Sequence, residues 1–157
     1  MFNISQFRAL LVRPVLDSLQ MYSVDAEELL VFTCAAESNG GTYIHQVKGP
    51  ALGIYQCEPS THTDIWQNYI INRHSITSIL SLNFNCPRIP EPARLVYDLH
   101  YATAICRLHY RRQAEALPKA DDVEGMWDYY KKYYNTANGK AKRDKAVKIY
   151  ESFLKSS

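Results

Sequence analysis

Glu37 closes an apolar stretch that includes Leu30, Val31, Phe32, Cys34, Ala35 and Ala36. A carboxylate at the end of a buried helix is desolvated, which raises its pKa and keeps a proton available for donation near neutral pH. That is the property of a general acid. Ser38 is placed to hydrogen-bond locally, and Gly40 and Gly41 leave room beside the acid for a bulky substrate. The same pattern also suits a solvated helix end, so Glu37 needs neighbours to carry a function. The nearest further carboxylates are Glu58 and Asp64, the two candidates for a second catalytic acid if the chemistry is a two-carboxylate hydrolysis. Trp127, Tyr129, Tyr130, Tyr133 and Tyr134 form a late aromatic group suited to stacking on sugar faces, with Trp127 and Tyr130 better suited to a core.

The elements that must hold these residues read as mostly helical. Phe7, Leu10, Leu11, Val15, Leu16 and Leu19 recur at helical spacing, with Pro14 marking a kink or a fresh start. Asp25 and Glu28 form a capping-box pattern ahead of a helix over 26–38, which Asn39-Gly40-Gly41 stops. Residues 42–48 then predict a short extended or β-hairpin insert before Gly49-Pro50. Pro59, with Asp64 as a capping residue, starts a helix through Ile65, Trp66 and Tyr69; a shorter one follows with Ile76, Ile79, Leu80 and Leu82 inward. Prolines 87, 90 and 92 delay the next helix until Ala93, after which Leu95 to Leu108 predict a long central one. Helices over 123–134 and 142–154 complete the chain.

Composition bounds the function class. The 157 residues, 46% of them hydrophobic and 22% charged, suit one globular domain, and no repeat or linker divides them. The formal charge of +2 is too small for bulk attraction to nucleic acid, which is not expected as a partner. A local basic run does exist: Lys131, Lys132, Lys140, Lys142, Arg143, Lys145, Lys148 and Lys155 stand against Asp144 and Glu151 alone. Cys34, Cys57, Cys86 and Cys106 lack the spacing of a disulfide framework and read as core thiols. Neither Cys57 with His62 nor His62 with Asp64 belongs to a four-ligand pattern, so no metal and no cofactor are expected. No apolar run is long enough for a transmembrane segment, and Met1-Phe2-Asn3-Ile4 does not begin a secretory signal.

The segment Ala51-Leu52-Gly53-Ile54-Tyr55-Gln56, with Pro59 close behind, lies nineteen residues downstream of Glu37-Ser38 when counted from Glu37 to Gln56. This ordered combination resembles the signature of the soluble lytic transglycosylases in the lysozyme-like superfamily. In that family, a Glu-Ser pair ends a helix and a Gly-aliphatic-x-Gln segment follows about twenty residues later. The family's late Tyr-Asn pair matches Tyr134-Asn135, which continues here as Thr136-Ala137-Asn138-Gly139 rather than Ala-Gly. The resemblance covers residues 26–70, and more loosely 95–139. Asn39-Gly40-Gly41, where relatives carry an aromatic residue, marks a divergent, phage-encoded member.

The resemblance implies a mainly α, lysozyme-like single domain of the goose-type lysozyme and lytic transglycosylase kind over 1–157. It also implies cleavage of the β-1,4 bond between N-acetylmuramic acid and N-acetylglucosamine in the peptidoglycan glycan strand. Glu37 would be the acid and base, with Ser38, Gln56, Tyr134 and Asn135 contacting or shaping the substrate site. A muramidase hydrolysis using Glu58 or Asp64, or a non-catalytic virion or tail protein retaining the fold, are the alternatives. A phage protein of this kind is expected to be made in the host cytoplasm and to meet the wall on lysis or as a virion component.

Overall fold

The computed structural model describes residues 1–157 as a helical protein with almost no strand. Helix α1 runs through Ile4–Gln6, a π-helical stretch Phe7–Val12 and Arg13–Ser18. Pro14 has no N–H to donate, and its ring crowds the carbonyl four residues back. The widened turns relieve that crowding, and Arg13 N–H reaches the Arg8 carbonyl five residues earlier. Leu10, expected inward, faces solvent.

Helix α2 spans Val24–Ser38. Its cap is Ser23, whose side chain accepts from Ala26 N at 3.0 Å. Asp25, expected to begin the capping box, instead accepts from Ala120 N at 2.8 Å. Leu29, Leu30, Val31, Phe32, Cys34 and Ala35 are all fully buried, so α2 is a core helix wrapped on every side rather than an amphipathic one. It ends where Asn39 turns left-handed, at φ 53°, and Gly40 N–H returns to the Cys34 carbonyl.

The insert does not form a β-hairpin. Its pairing is confined to isolated bridges, His45 with Leu52 and Leu52 with Cys57. Gln46 N–H bonds Ala51 O and Gly53 N–H bonds Ile44 O, but the left-handed Lys48 and the proline at 50, which has no donor, leave no ladder to extend.

Helix α3 comprises Pro59–Ile65 and the π-helical Trp66–Ile70, with Glu58 at its N-cap. Helix α4, His74–Phe84, buries Ile76, Leu80 and Phe84; Leu82, expected inward, is 84% exposed because it lies on the opposite face from that i, i+4, i+8 stripe. The expected long helix from Ala93 is two. Asp98 interrupts it with extended backbone, separating α5, Arg94–Tyr97, from α6, Leu99–Arg111, and caps α6 by accepting from Tyr101 N at 3.0 Å. Helix α7 joins Val123–Tyr130 to the π-helical Lys131–Asn135, and α8 is Arg143–Leu154. No helix is long and apolar enough to cross a membrane.

Helix α2 packs against α6, α7, α8 and the π-helical part of α1, giving a contiguous core. All four cysteines are buried free thiols within it. Two buried threonines, Thr33 and Thr103, are paired with tyrosines from distant parts of the chain. Thr33 and Thr103 give their hydroxyl protons to the carbonyls four residues back. Each threonine oxygen is then free to accept from a buried tyrosine, Tyr110 at 2.7 Å and Tyr55 at 3.1 Å. One interior charge pair is matched in the same way: Arg8 forks onto Glu28 at 2.7 and 3.0 Å, and Tyr150 donates to Glu28 at 2.5 Å, whereas Arg107 is buried with its Nε and Nη1 unpaired.

His62 is buried against Tyr101, whose hydroxyl accepts from Trp66 Nε1 at 2.8 Å and is hydrogen-bonded to His62 Nε2 at 2.6 Å. Burial pushes the imidazole pKa down to about 4, so the ring is neutral at pH 7. Between about pH 6.5 and 4 the unfolded chain binds a proton here that the native state refuses, so stability falls as pH drops through that window, by roughly 3 kcal/mol. Thermal unfolding at pH 7 and pH 4.5 checks this. Wild type should lose more stability across the interval than His62→Gln, which retains a hydrogen-bonding group for Tyr101 but does not titrate.

Candidate active site

A groove of about 710 Å³ opens where the end of α2, the insert, the N-terminal turn of α3, the last turns of α7 and the first turns of α8 meet. Glu37 lines it, partly buried, on the penultimate residue of α2. The helix end that aims Glu37 is held by Ser38. The Ser38 hydroxyl donates to the Cys34 carbonyl at 3.1 Å and accepts from Gly41 N at 2.9 Å. Ser38 is itself fully buried and is not among the residues lining the groove, so its place is beneath the acid rather than beside a ligand.

Glu37 receives a hydrogen bond from the Tyr130 hydroxyl at 2.6 Å. The Asn135 amide acts on the same carboxylate from the next turn of α7. Lys131 Nζ donates to Asn135 Oδ1 at 2.7 Å and to the Gly139 carbonyl at 2.9 Å, which leaves the amide protons of Asn135 for Glu37. Burial raises the Glu37 pKa, while Tyr130, Asn135 and the Lys131 charge all lower it; burial wins and the pKa is pushed up to about 7. Replacing Tyr130 by Phe keeps its packing on Phe32 but removes a bond that favours the carboxylate. The Glu37 pKa should then move upward by roughly one further unit, read by carbon-detected NMR titration of the carboxyl group. A downward or absent shift would show that the hydroxyl does not hold the carboxylate.

Tyr134 lines the groove without bonding Glu37. Its hydroxyl donates to the Tyr55 carbonyl at 2.6 Å, tying α7 to the turn that carries Gln56. Gln56 lines the groove in a left-handed conformation at φ 49°, its Nε2 returning to the Gly53 carbonyl at 3.0 Å. Gly53, at φ 78°, packs so closely that a Cβ there would overlap the Leu95 carbonyl oxygen. Of the two candidate second carboxylates, Glu58 lines the same groove, exposed at the start of α3. Asp64 lies outside the lining and is bound to Arg112 at 2.7 Å and Asn68 at 2.6 Å. It is not the capping residue that its position after Pro59 suggests.

Of two further neighbours of the site, Tyr130 falls by sequence in the aromatic group with a core role favoured, and His109 has no assignment from sequence at all. Tyr130 reads as a core residue and is buried, yet it also supplies the hydroxyl on Glu37; the one signal for it is its position a single helical turn before Tyr134. His109 reaches the groove from the last turn of α6, its ring 4.5 Å from that of Tyr134. Burial and the Arg112 charge lower its pKa to about 3, so it stays neutral and adds to the acid sensitivity described for His62. Its buried Nδ1 has no hydrogen-bond partner. A lone histidine in an apolar helical run carried no signal for this placement. Trp127, Tyr129 and Tyr133 do not line the groove; Trp127 packs on Tyr130, with ring centroids 5.8 Å apart. No family model matches this chain, and neither a curated protein nor a solved structure matches it.

Proposed function

We propose that this chain is a lysozyme-like lytic transglycosylase that cleaves the β-1,4 bond between N-acetylmuramic acid and N-acetylglucosamine in peptidoglycan. The observation that carries the proposal is Glu37: a carboxyl group lining an open groove, oriented by Tyr130 and Asn135, with its pKa near 7. A group half-protonated at neutral pH is matched to giving a proton and taking one back in the same cycle. In the first step Glu37 protonates the N-acetylglucosamine O4 as its bond to the muramyl C1 breaks, leaving oxocarbenium-like charge on the muramyl ring beside the new carboxylate. In the second, the carboxylate takes the proton of the muramyl C6 hydroxyl as that oxygen bonds to C1. The product ends in a 1,6-anhydro ring, Glu37 is protonated again, and no water is consumed.

The open groove also favours catalysis over a purely structural role. Tyr43 lines the groove but is exposed rather than filling it, and His45 lies outside the lining. Glu58 supports one competing reading, a lysozyme-type hydrolysis, because it places a second carboxylate on the same groove. The deciding experiment incubates wild type and Glu37→Gln with purified peptidoglycan and identifies soluble products by mass spectrometry. 1,6-Anhydromuropeptides from wild type alone support the transglycosylase. Reducing-end products lost in the same variant would replace it with the hydrolase. Inactivity of both well-folded proteins on walls of several chemotypes would replace it with a non-catalytic virion component.

A further inference from the structure

The wall of the groove built from the 136–142 segment and the start of α8 carries three lysines, Lys140, Lys142 and Lys145. All three are exposed, and none is in a salt bridge. The acids that might have neutralised them are taken by Arg143, which lies between them in sequence. Its guanidinium pairs with Glu124 and, at 2.8 Å, with Asp144. The insert contributes only uncharged groups to the lining, Tyr43, Gln46, Val47 and Ala51, and the carboxylates of the groove are Glu37 and Glu58. The cation that acts on Glu37 is Lys131, so the three rim lysines do not serve the acid itself. Three like charges without an acidic partner give one wall of the groove a positive field that is complementary to an anionic ligand.

We propose that Lys140, Lys142 and Lys145 form a subsite for the carboxylates of the peptide stems that branch from the muramyl residues, making the protein selective for stem-bearing, anionic glycan over neutral glycan. This rests on the transglycosylase reading of the same groove. The sugar backbone is uncharged and offers nothing to an ammonium group beyond ordinary hydrogen bonds. Stem carboxylates are attached directly to the chain lying in the groove, so they meet its wall whenever the glycosidic bond meets Glu37. Phosphate polymers linked elsewhere on the wall share the negative charge but are not held in that register.

The test compares purified peptidoglycan with the same material after carbodiimide coupling to methylamine, which neutralises the carboxylates without shortening the stems. Wild type should cleave the untreated polymer about tenfold more efficiently, mainly through KM, and lose most of that preference in 0.5 M salt. In the Lys140→Gln, Lys142→Gln, Lys145→Gln triple variant the ratio between the two polymers should fall to near one. Equal rates of wild type on both polymers, or a preference that survives in the triple variant, would overturn the subsite. So would a preference that disappears when wall phosphate polymers are removed by hydrofluoric acid while the stems stay intact. Co-sedimentation of Glu37→Gln, with and without the three lysine substitutions, reads the same preference as binding. Lysine-dependent binding without any cleavage by wild type would retain the subsite while removing the enzymatic reading.

Discussion

Glu37→Gln is expected to reduce glycan cleavage by about 10³-fold or more and, in the same protein, to raise thermal stability at alkaline pH. The two effects have one origin. Burial lifts the Glu37 pKa from 4.5 to about 7, so the native state holds a proton that the unfolded chain releases between those values. Stability therefore falls as pH rises through that window, and above it the ionised carboxylate costs the fold up to about 3 kcal/mol, reduced by water entering from the groove. Glutamine cannot ionise and still accepts from Tyr130. The variant should consequently melt about 5–10 °C above wild type at pH 8 and close to it at pH 4.5. Calorimetry across that range checks the prediction without any substrate. A variant that loses activity but shows no pH-dependent gain would mean that Glu37 is solvated in the native state, removing the basis for its role as an acid at neutral pH.

The largest loss of stability is expected from Gly53→Ala. At φ 78° an L-residue is strained, and here the added Cβ would also press into the backbone carbonyl of Leu95, which cannot swing aside as a flexible side chain would. Together these should cost about 3 kcal/mol or more. The displaced turn carries Tyr55, whose carbonyl receives Tyr134, and Gln56, so the groove should open on the side facing α7 as well. Gly49→Ala is the control, because its Cβ would meet only the movable end of Gln46 and its backbone is not left-handed. Urea unfolding of both variants decides the matter: a Gly53→Ala midpoint equal to that of Gly49→Ala would show that Leu95 yields and that the close approach is not a constraint.

Much of this architecture was legible before any coordinates. The stop after Ser38, the start at Pro59 and the helices that became α7 and α8 depend on glycine, proline and periodicity, which act over a few residues. The same local signals misled where two of them competed. Asp25 and Asp64 both look like caps, but each is drawn to a partner far along the chain, Ala120 N and Arg112 respectively. Asp98 looks like one polar residue within an apolar run, yet its carboxylate ends one helix and caps the next. The insert has extended residues joined only at two isolated bridges, and a hairpin requires a continuing ladder.

By itself, the sequence determined that the protein is helical and that Glu37 stands at the end of an unusually apolar helix. Tertiary structure alone decided which tyrosine holds Glu37. Tyr130 and Tyr134 lie one helical turn apart on α7, and the sequence resemblance points to Tyr134. The rotation of α7 against α2 directs Tyr130 to the carboxylate and Tyr134 to the Tyr55 carbonyl. Tertiary packing likewise put Ser38 beneath the acid, brought His109 into the groove and left three lysines on its rim. The reason is physical: a cap or a period is satisfied within a turn or two of chain, whereas the partner of a buried polar group is whatever the packed helices bring within about 3 Å of it.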